Sequence, residues 1–203
     1  DGAGVYLYGA NLTMQENSKI SSNSCVFGGH ASSYGGGVYI NNSSTFTMTS
    51  GVISENSAEY GGGVSVSGGS FIMNGGSISN NTVTENGKGK GVYVVKHTKE
   101  GIEFSPTFKI SGNASITEDN DVYLTEDQKI TIAGNLSTMG KVATITPQSY
   151  AEKKKVLDVD TGIILDDQLV EKFSVTKYSN DVETIITAIT EDKGSLKNTL
   201  KGT

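Results

Sequence analysis

The stretch Gly35-Gly36-Gly37-Val38-Tyr39-Ile40 decides the fold, because near-copies of it recur along the chain. The copies are Gly2-Ala3-Gly4-Val5-Tyr6-Leu7, Gly61-Gly62-Gly63-Val64-Ser65-Val66, Gly89-Lys90-Gly91-Val92-Tyr93-Val94 and the shorter Asp121-Val122-Tyr123-Leu124. The aligned valines are 33, 26, 28 and 30 residues apart. Unequal steps between similar segments indicate one repeated structural unit with connecting loops of variable length.

Two further short apolar segments follow each copy in a fixed order. The second segments are Leu12-Thr13-Met14, Phe46-Thr47-Met48, Phe71-Ile72-Met73, Phe108-Lys109-Ile110 and Ile130-Thr131-Ile132. The third are Ile20-Ser21, Ile53-Ser54, Ile78-Ser79 and Ile116-Thr117, followed by Asn23, Asn56, Asn81 and, in the fourth copy, Asp119 with Asn120 beside it. Apolar residues alternate with polar ones, which is the pattern of a strand with one buried face.

These strands are too short to bury a face alone, so each repeat is expected to stack on the next. Three strands per repeat predict an all-β fold, a right-handed parallel β-helix in which equivalent residues form ladders. Asn23, Asn56, Asn81 and Asp119 are predicted to form one such ladder at a corner, exchanging amide hydrogen bonds. The leucine-rich horseshoe is the alternative repeat fold, but its Leu-dense pattern is missing.

The composition of the 203 residues excludes several functions. The net charge is −6 and every basic residue is Lys, so clustered cations for nucleic acid or anionic membranes are not expected. Trp is missing as well, and Cys25 is the single cysteine, which excludes an internal disulfide framework. No apolar run approaches the roughly 20 residues of a membrane span.

The glycine repeat stops near residue 140, and the composition then changes. We predict a β-helix over residues 1–140 and a β-rich cap over residues 141–203 that ends in a flexible tail from Lys193. The cap could itself include further irregular repeats. Strands are predicted at 142–146, 156–159, 173–177 and 182–189, with a helical turn within 166–172. A cap would cover the exposed edge of the last repeat. Because no cap precedes the first repeat, we expect further repeats upstream.

The Gly-Gly-Gly-Val-Tyr segment, paired with Ile-Ser-x-Asn, resembles the short repeats of chlamydial polymorphic outer-membrane proteins. It is also similar to repeats in adhesin-like surface proteins of spirochaetes and gut microbes. The resemblance covers about residues 1–132, and the segments from Val142 to Thr176 resemble those that follow such repeats in treponemal proteins. It implies a bacterial protein that is extracellular or on the cell surface and that adheres rather than catalyses. The chlamydial repeats differ from this chain at two places. They have Ala-Ile where this chain has Val, and a Phe where it has Ile-Ser-x-Asn.

Enzymes that cleave polysaccharides are the main alternative, because many of them share the predicted fold. A lyase that uses an Arg base is excluded, since the chain has no Arg. Glycosidases need two or three clustered carboxylates, whereas Glu16, Glu55, Glu59 and Glu85 are scattered among the early repeats. We therefore predict no catalytic residue and no cofactor; three acids gathered in one cleft would change that view.

Metal sites are not predicted either. Glu118-Asp119-Asn120-Asp121 could offer oxygen ligands to Ca²⁺, but a solvated turn is the favoured interpretation. Asp158, Asp160, Asp166 and Asp167 lack the spacing of a calcium loop. His30 and His97 lie in loops without metal-ligand spacing, and Lys153-Lys154-Lys155 fits a charged turn.

The tyrosines at the middle of the first strand are the candidate binding residues. Tyr6, Tyr39, Tyr93 and Tyr123 alternate with inward residues, so they are expected to face outward as a stripe. Such a stripe could contact glycans or host and matrix proteins, or could protect the sheet by stacking. Loops 24–34 and 96–106 are further candidates for specificity. The leading hypothesis is a non-catalytic adhesin-like segment; a structural stalk is the third possibility.

Overall fold

A computed structural model describes residues 4–25, 32–151 and 154–176, and the backbone of residues 184–190 and 195–200. The fold is all-β with parallel sheets, as predicted, and the helix α1 (Asp167–Val170) is a single turn. Asp166 caps that turn by accepting a hydrogen bond from the backbone N of Leu169 at 2.9 Å. The predicted helical turn within residues 166–172 is therefore confirmed.

The strands follow the repeats of the sequence. The first repeat contains β1 (Val5–Tyr8), β2 (Asn11–Met14) and β3 (Lys19–Ser21). The second contains β4 (Val38–Asn41), β5 (Thr45–Met48), β6 (Val52–Ser54) and β7 (Ser57–Tyr60). The third contains β8 (Val64–Ser67), β9 (Ser70–Met73), β10 (Ser77–Ser79) and β11 (Thr82–Lys88).

The fourth repeat contains β12 (Val92–Val95), a hairpin of β13 (His97–Lys99) and β14 (Ile102–Phe104), then β15 (Thr107–Gly112) and β16 (Ser115–Ile116). The fifth contains β17 (Asp121–Leu124) and β18 (Ile130–Leu136). Beyond it lie β19 (Ala143–Pro147), β20 (Leu157–Val159), α1, β21 (Phe173–Val175), β22 (Thr184–Thr190) and β23 (Ser195–Leu200).

Three parallel sheets run through the repeats. The first has the order β1-β4-β8-β12-β17-β19-β21, the second β2-β5-β9-β15-β18-β20, and the third β3-β6-β10-β16. Within these sheets, strands of successive repeats pair in register, so that Val38 lies opposite Val64 and Phe46 opposite Phe71; the pair β15–β18 shifts register beyond Ile110. Period-2 alternation therefore places the same inward positions in contact in successive repeats.

The core is built from columns of equivalent side chains. Phe46, Phe71 and Phe108 are fully buried and stacked, with ring centroids 5.2 and 5.0 Å apart and planes within 6° of parallel. Offset ring contacts of this kind add about 0.5–1.5 kcal/mol per pair to the effect of burial. Other columns are Val38, Val64, Val92 and Val122, then Ile53, Ile78 and Ile116.

The corner after the third sheet carries the predicted ladder of amides, with one correction. The Nδ2 atoms of Asn23, Asn56 and Asn81 each donate to the Oδ1 atom of the next member, at 2.9, 3.0 and 2.9 Å. The last acceptor is Asn120, which is fully buried, and the prediction of Asp119 was wrong. A carboxylate at that buried position could not donate a hydrogen bond, as Asn120 Nδ2 does to Asp119, and would carry a buried charge; Asp119 lies outward instead.

Glycines beside this corner allow the repeats to approach closely. A Cβ atom at Gly63 would lie 2.6 Å from the carbonyl oxygen of Gly91 and 3.0 Å from Nδ2 of Asn81. Gly37 has the equivalent contacts with Gly63 and Asn56. Glycine is thus required at this position because a neighbouring backbone occupies the space of a side chain.

The parallel sheets do not end at residue 140, where the sequence predicted the cap to begin. β19 and β21 extend the first sheet and β20 extends the second, with Ile145 opposite Val122 and Val175 opposite Ile145. β22 lies beside β21 and pairs antiparallel with β23, so Ser195–Leu200 is a strand where a tail was predicted. The inward apolar alternation outlasts the glycine motif, so the region that follows residue 140 adds further strands to the parallel sheets.

Candidate functional site

The predicted tyrosines do lie in one column of the first sheet. Tyr6 pairs with Tyr39, and Tyr93 with Tyr123, while Ser65 occupies the column between them. The rings of Tyr6 and Tyr39 are stacked with centroids 5.2 Å apart, and those of Tyr93 and Tyr123 with centroids 5.7 Å apart. The in-register pairing of the strands sets these ring distances.

Two tyrosines from the corners close the gap at Ser65. Tyr34 stacks on Tyr39 at 5.6 Å and on Tyr60 at 5.3 Å, and Tyr60 contacts Tyr93 at 5.0 Å. The column and corner residues thus form a tyrosine stack that comprises Tyr6, Tyr39, Tyr34, Tyr60, Tyr93 and Tyr123. Tyr34 and Tyr60 were not among the binding residues predicted from the sequence, although each directly precedes a Gly-Gly-Gly segment.

The stack is not an exposed stripe, contrary to the sequence-based expectation. Tyr39 and Tyr93 are only 6% and 9% exposed, because the corner tyrosines cover them. Burial is the main cause that raises the phenol pKa of both residues. Tyr6 is 42% exposed and its neighbour Tyr8 53%. The buried rings of Tyr39 and Tyr93 therefore stabilise the sheet, whereas Tyr34 and Tyr60, which cover them, are partly exposed.

Ser65 lies beneath the corner tyrosines. Its side chain is fully buried, and its Oγ atom has no hydrogen-bond partner among the described residues. A buried hydroxyl without a partner costs about 1–3 kcal/mol. The small side chain is nevertheless what leaves room for Tyr34 and Tyr60 to join the stack.

An open groove lies at the other end of the stack, next to Tyr123. It forms because the corner before the first sheet changes length: ten residues separate Asn81 from Val92, but only Asp121 separates Asn120 from Val122. The longer corner contains β11, which pairs with β7 alone and bulges between Val83 and Lys88. β11 thus forms a wall beside a surface that the fifth repeat leaves uncovered.

The groove has a volume of about 370 Å³, within the range of small-molecule sites. Its wall and floor come from the third to fifth repeats and from the strands that follow. The lining residues are Val83, Gly87, Lys88, Gly89, Lys90, Glu118, Asp119, Asp121, Tyr123, Thr144, Thr146 and Thr176.

Tyr123 provides the aromatic part of this groove. One face of its ring stacks on Tyr93, and the residue that follows it in register is Thr146 rather than another aromatic residue. The Nζ atom of Lys88 lies 6.0 Å from the ring centroid. Burial is the main cause that raises the pKa of Tyr123, so its phenol is a hydrogen-bond donor and not a base at neutral pH.

The acids of the groove differ in how far they are already engaged. Asp119 accepts hydrogen bonds from the Thr117 hydroxyl at 2.5 Å, the Asn80 backbone N at 2.9 Å and Asn120 Nδ2 at 3.0 Å. The bond from Thr117 is the main cause that lowers the pKa of Asp119. Asp121 accepts one bond, from the backbone N of Lys90 at 2.7 Å.

The threonines offer hydroxyl groups along the floor. The Oγ1 atom of Thr146 is buried and has no hydrogen-bond partner in the described part of the chain. Further along, the hydroxyls of Thr176 and Tyr150 lie 2.5 Å apart. A ligand that carries hydroxyl groups could satisfy this atom if the Thr146 side chain rotates toward the groove.

The other sequence candidates do not gather into a site. Asp158 and Asp160 form ion pairs with Lys129 and Lys109, at 2.8 and 2.7 Å. His97 contacts the ring of Phe104 across the β13–β14 hairpin.

His30 and Lys153 lie outside the described residues, as does most of loop 24–34. Within the described ranges, no group of three His, Cys, Asp or Glu side chains is arranged to hold a metal ion.

No protein-family model matches the chain, and neither does any curated protein or solved structure. Among the helices of the described residues, none is long and apolar enough to cross a membrane.

Proposed function

We propose that this chain is a right-handed parallel β-helix segment of a bacterial adhesin-like protein, secreted or on the cell surface, which binds glycans or host and matrix proteins without catalysis. The in-register parallel pairing of three sheets supports the β-helix, since each repeat adds one strand to every sheet. The repeat motifs support the adhesin-like class. A crystal structure with a left-handed connection between repeats would contradict the fold.

The observation that carries the binding function is the tyrosine stack that ends in the Tyr123 groove. Aromatic rings, hydroxyl groups and carboxylates side by side are the groups that small-molecule and glycan sites combine. Asp121, Tyr123, Thr144 and Thr146 are held on the paired strands β17 and β19, so this part of the groove is formed before a ligand arrives. Pre-formed sites lose less conformational entropy on binding than mobile ones.

The proposal is tested by incubating the purified chain with a panel of polysaccharides and matrix proteins. Retention on the panel and the release of new reducing or unsaturated ends are both measured. Retention without cleavage is the expected result. The absence of both would contradict the binding function and favour a structural stalk, the other non-catalytic candidate. Antibody labelling of intact cells that produce the protein tests its exposure on the surface.

A polysaccharide-processing enzyme is the second candidate, because the groove gathers three acids, Glu118, Asp119 and Asp121. A pair of carboxylates is the minimum for glycoside hydrolysis. The hydrogen bonds of Asp119 and its lowered pKa disfavour it as the proton donor, since that role requires a raised pKa. If the enzyme hypothesis is right, Asp121→Asn and Glu118→Gln abolish cleavage while the glycan is still retained.

A further inference from the structure

We propose that the Tyr123 groove is a subsite for an uncharged sugar ring of a glycan. This inference rests on the proposed binding function and specifies its site and its ligand. Tyr123, Thr146 and Asp121 are the residues that would contact the sugar.

The first argument is the break in the aromatic column after Tyr123. Where the column lacks an aromatic residue at Ser65, the protein fills the gap with Tyr34 and Tyr60, at centroid distances of 5.0–5.6 Å from their neighbours. At Thr146 the column again has a small residue, and here the surface forms a groove. The apolar face of a pyranose ring can stack on an aromatic ring as another side chain would.

Lys88 is compatible with such stacking. Its ammonium group lies at about the limit of a cation–π contact with Tyr123, and no ion pair within the described residues holds it there. Its four-carbon stem can therefore move aside or lie along the edge of the sugar.

The second argument is the polar pattern of two adjacent strands. Asp121 lies opposite Thr144, and Tyr123 opposite Thr146, so two hydroxyls and a carboxylate surround one ring. The carboxylate of Asp121 can accept a hydrogen bond from a sugar hydroxyl, and the hydroxyl of Thr144 can pair with another. The partnerless Oγ1 atom of Thr146 is buried, so it would reach the sugar by rotation of its side chain about the Cα–Cβ bond. A ligand with neighbouring hydroxyl groups matches this arrangement better than an apolar one.

The third argument concerns charge. Three carboxylates and two lysines line the groove, and the whole chain has a net charge of −6. Uronate or sulfated polymers would meet this acidic surface without an Arg to pair with, so they are disfavoured. An extended peptide is disfavoured too, because the bulge in β11 disrupts the edge to which a strand would have to pair.

The experiment measures binding of the intact chain to immobilised neutral oligosaccharides and to acidic ones of similar length. Tyr123→Ala is expected to lower the affinity for the neutral glycan at least about tenfold, which corresponds to about 1.4 kcal/mol of binding free energy. Tyr123→Phe keeps the ring and retains most of the affinity. Thr146→Val, which conserves shape and strand propensity, is expected to weaken binding about fivefold.

The matched control is Thr131→Val, because Thr131 occupies a partly exposed position on β18 in the second sheet, outside the groove. It is expected to bind as the unchanged chain does. Thermal unfolding of each variant separates loss of the site from loss of the fold, and Thr146→Val keeps the test valid if Tyr123→Ala does not fold.

Each contrary result has a distinct meaning. If Tyr123→Ala and Thr146→Val fold and bind neutral glycans with unchanged affinity, the proposed site is wrong but the binding function stands. Retention of acidic glycans or matrix proteins alone would overturn the uncharged ligand. Loss with Tyr6→Ala and not with Tyr123→Ala would move binding to the opposite end of the stack. No retention of any kind would refute the proposed function together with this inference.

Discussion

Asn56 donates both its backbone N–H and its Nδ2 to the single Oδ1 atom of Asn81, at 3.0 Å in each case. The two residues are 25 positions apart in the chain and both are buried. The Oδ1 atom of Asn81 therefore binds both the backbone and the side chain of Asn56, at the equivalent corner of the preceding repeat. Each Nδ2 group of Asn56 and Asn81 links three repeats, because it donates to the next amide of the ladder and also to a backbone carbonyl of the repeat before, Ile20 and Ile53 respectively.

Asn81→Ala is expected to lower the free energy of unfolding by about 3 kcal/mol. It removes the acceptor of the two Asn56 donors and the donor to Ile53, Ser79 and Asn120, all near or within the core. Denaturant unfolding measures the loss. Asn23→Ala is the control at the end of the ladder, with an expected loss of about 1 kcal/mol; equal losses would contradict a chain of buried bonds.

Ser65→Ala is expected to raise the free energy of unfolding by about 1 kcal/mol, because it removes a buried hydroxyl without a partner. Ser65→Tyr would place a tyrosine at the one position between Tyr39 and Tyr93 that lacks it, yet it is expected to destabilise the protein. The rings of Tyr34 and Tyr60 already occupy that space. Thermal unfolding compares the two variants, and a more stable Ser65→Tyr would disprove the role of the corner tyrosines.

Gly63→Ala is expected to lower the free energy of unfolding by about 3 kcal/mol, because its Cβ would meet the Gly91 carbonyl oxygen at 2.6 Å. Gly101→Ala is the control. Gly101 has a φ of +79°, with no atom within 4 Å of an added Cβ, so only backbone strain of about 1 kcal/mol is expected. Calorimetry measures the loss of stability in both variants. If the repeats pack closely at Gly63, Gly63→Ala loses more stability than Gly101→Ala.

Stability is expected to fall at alkaline pH. The phenol pKa of Tyr93 is raised, first by burial and then by neighbouring tyrosines, so the folded protein favours the neutral phenol. The unfolded chain releases that proton above about pH 10, and unfolding becomes progressively easier as the pH rises from there through the folded pKa. Below about pH 10 the contribution is fully present.

Tyr93→Phe removes this titration and should reduce the difference between unfolding free energies measured at about pH 8 and about pH 11. The same difference in the variant and the unchanged chain would show that Tyr93 titrates alike in both states.

Much of the fold could be predicted from the sequence, because the repeat places identical residue types at equivalent strand positions. The columns of Phe46, Phe71 and Phe108 follow directly from that register. The end of the parallel sheets could not be predicted, since Ile145 and Val175 continue the column without a glycine motif. Loss of the motif changes the corners but leaves the inward faces intact.

The candidate site was predictable only in part. Tyr123 was identified from its strand position, but the groove beside it depends on a corner that is long at the end of the third repeat and reduced to Asp121 at the end of the fourth. Glu118 and Asp121 look like a solvated turn in sequence, and only the wall formed by β11 makes them part of a cavity. Such a wall depends on the length of a loop, and no residue pattern in the sequence predicts where the loop lies on the folded protein.

The sequence by itself determined the repeat, the three parallel sheets and the inward columns, because period-2 alternation is a local property of each short strand and the same residue types recur at equivalent positions of successive repeats. The tertiary structure decided that Asn120 rather than Asp119 ends the ladder, since only a neutral amide can both donate and accept in a buried corner. It also decided that Tyr34 and Tyr60 bury Tyr39 and Tyr93. Those contacts join residues from different repeats, and the exposure of a side chain depends on what the rest of the chain places over it.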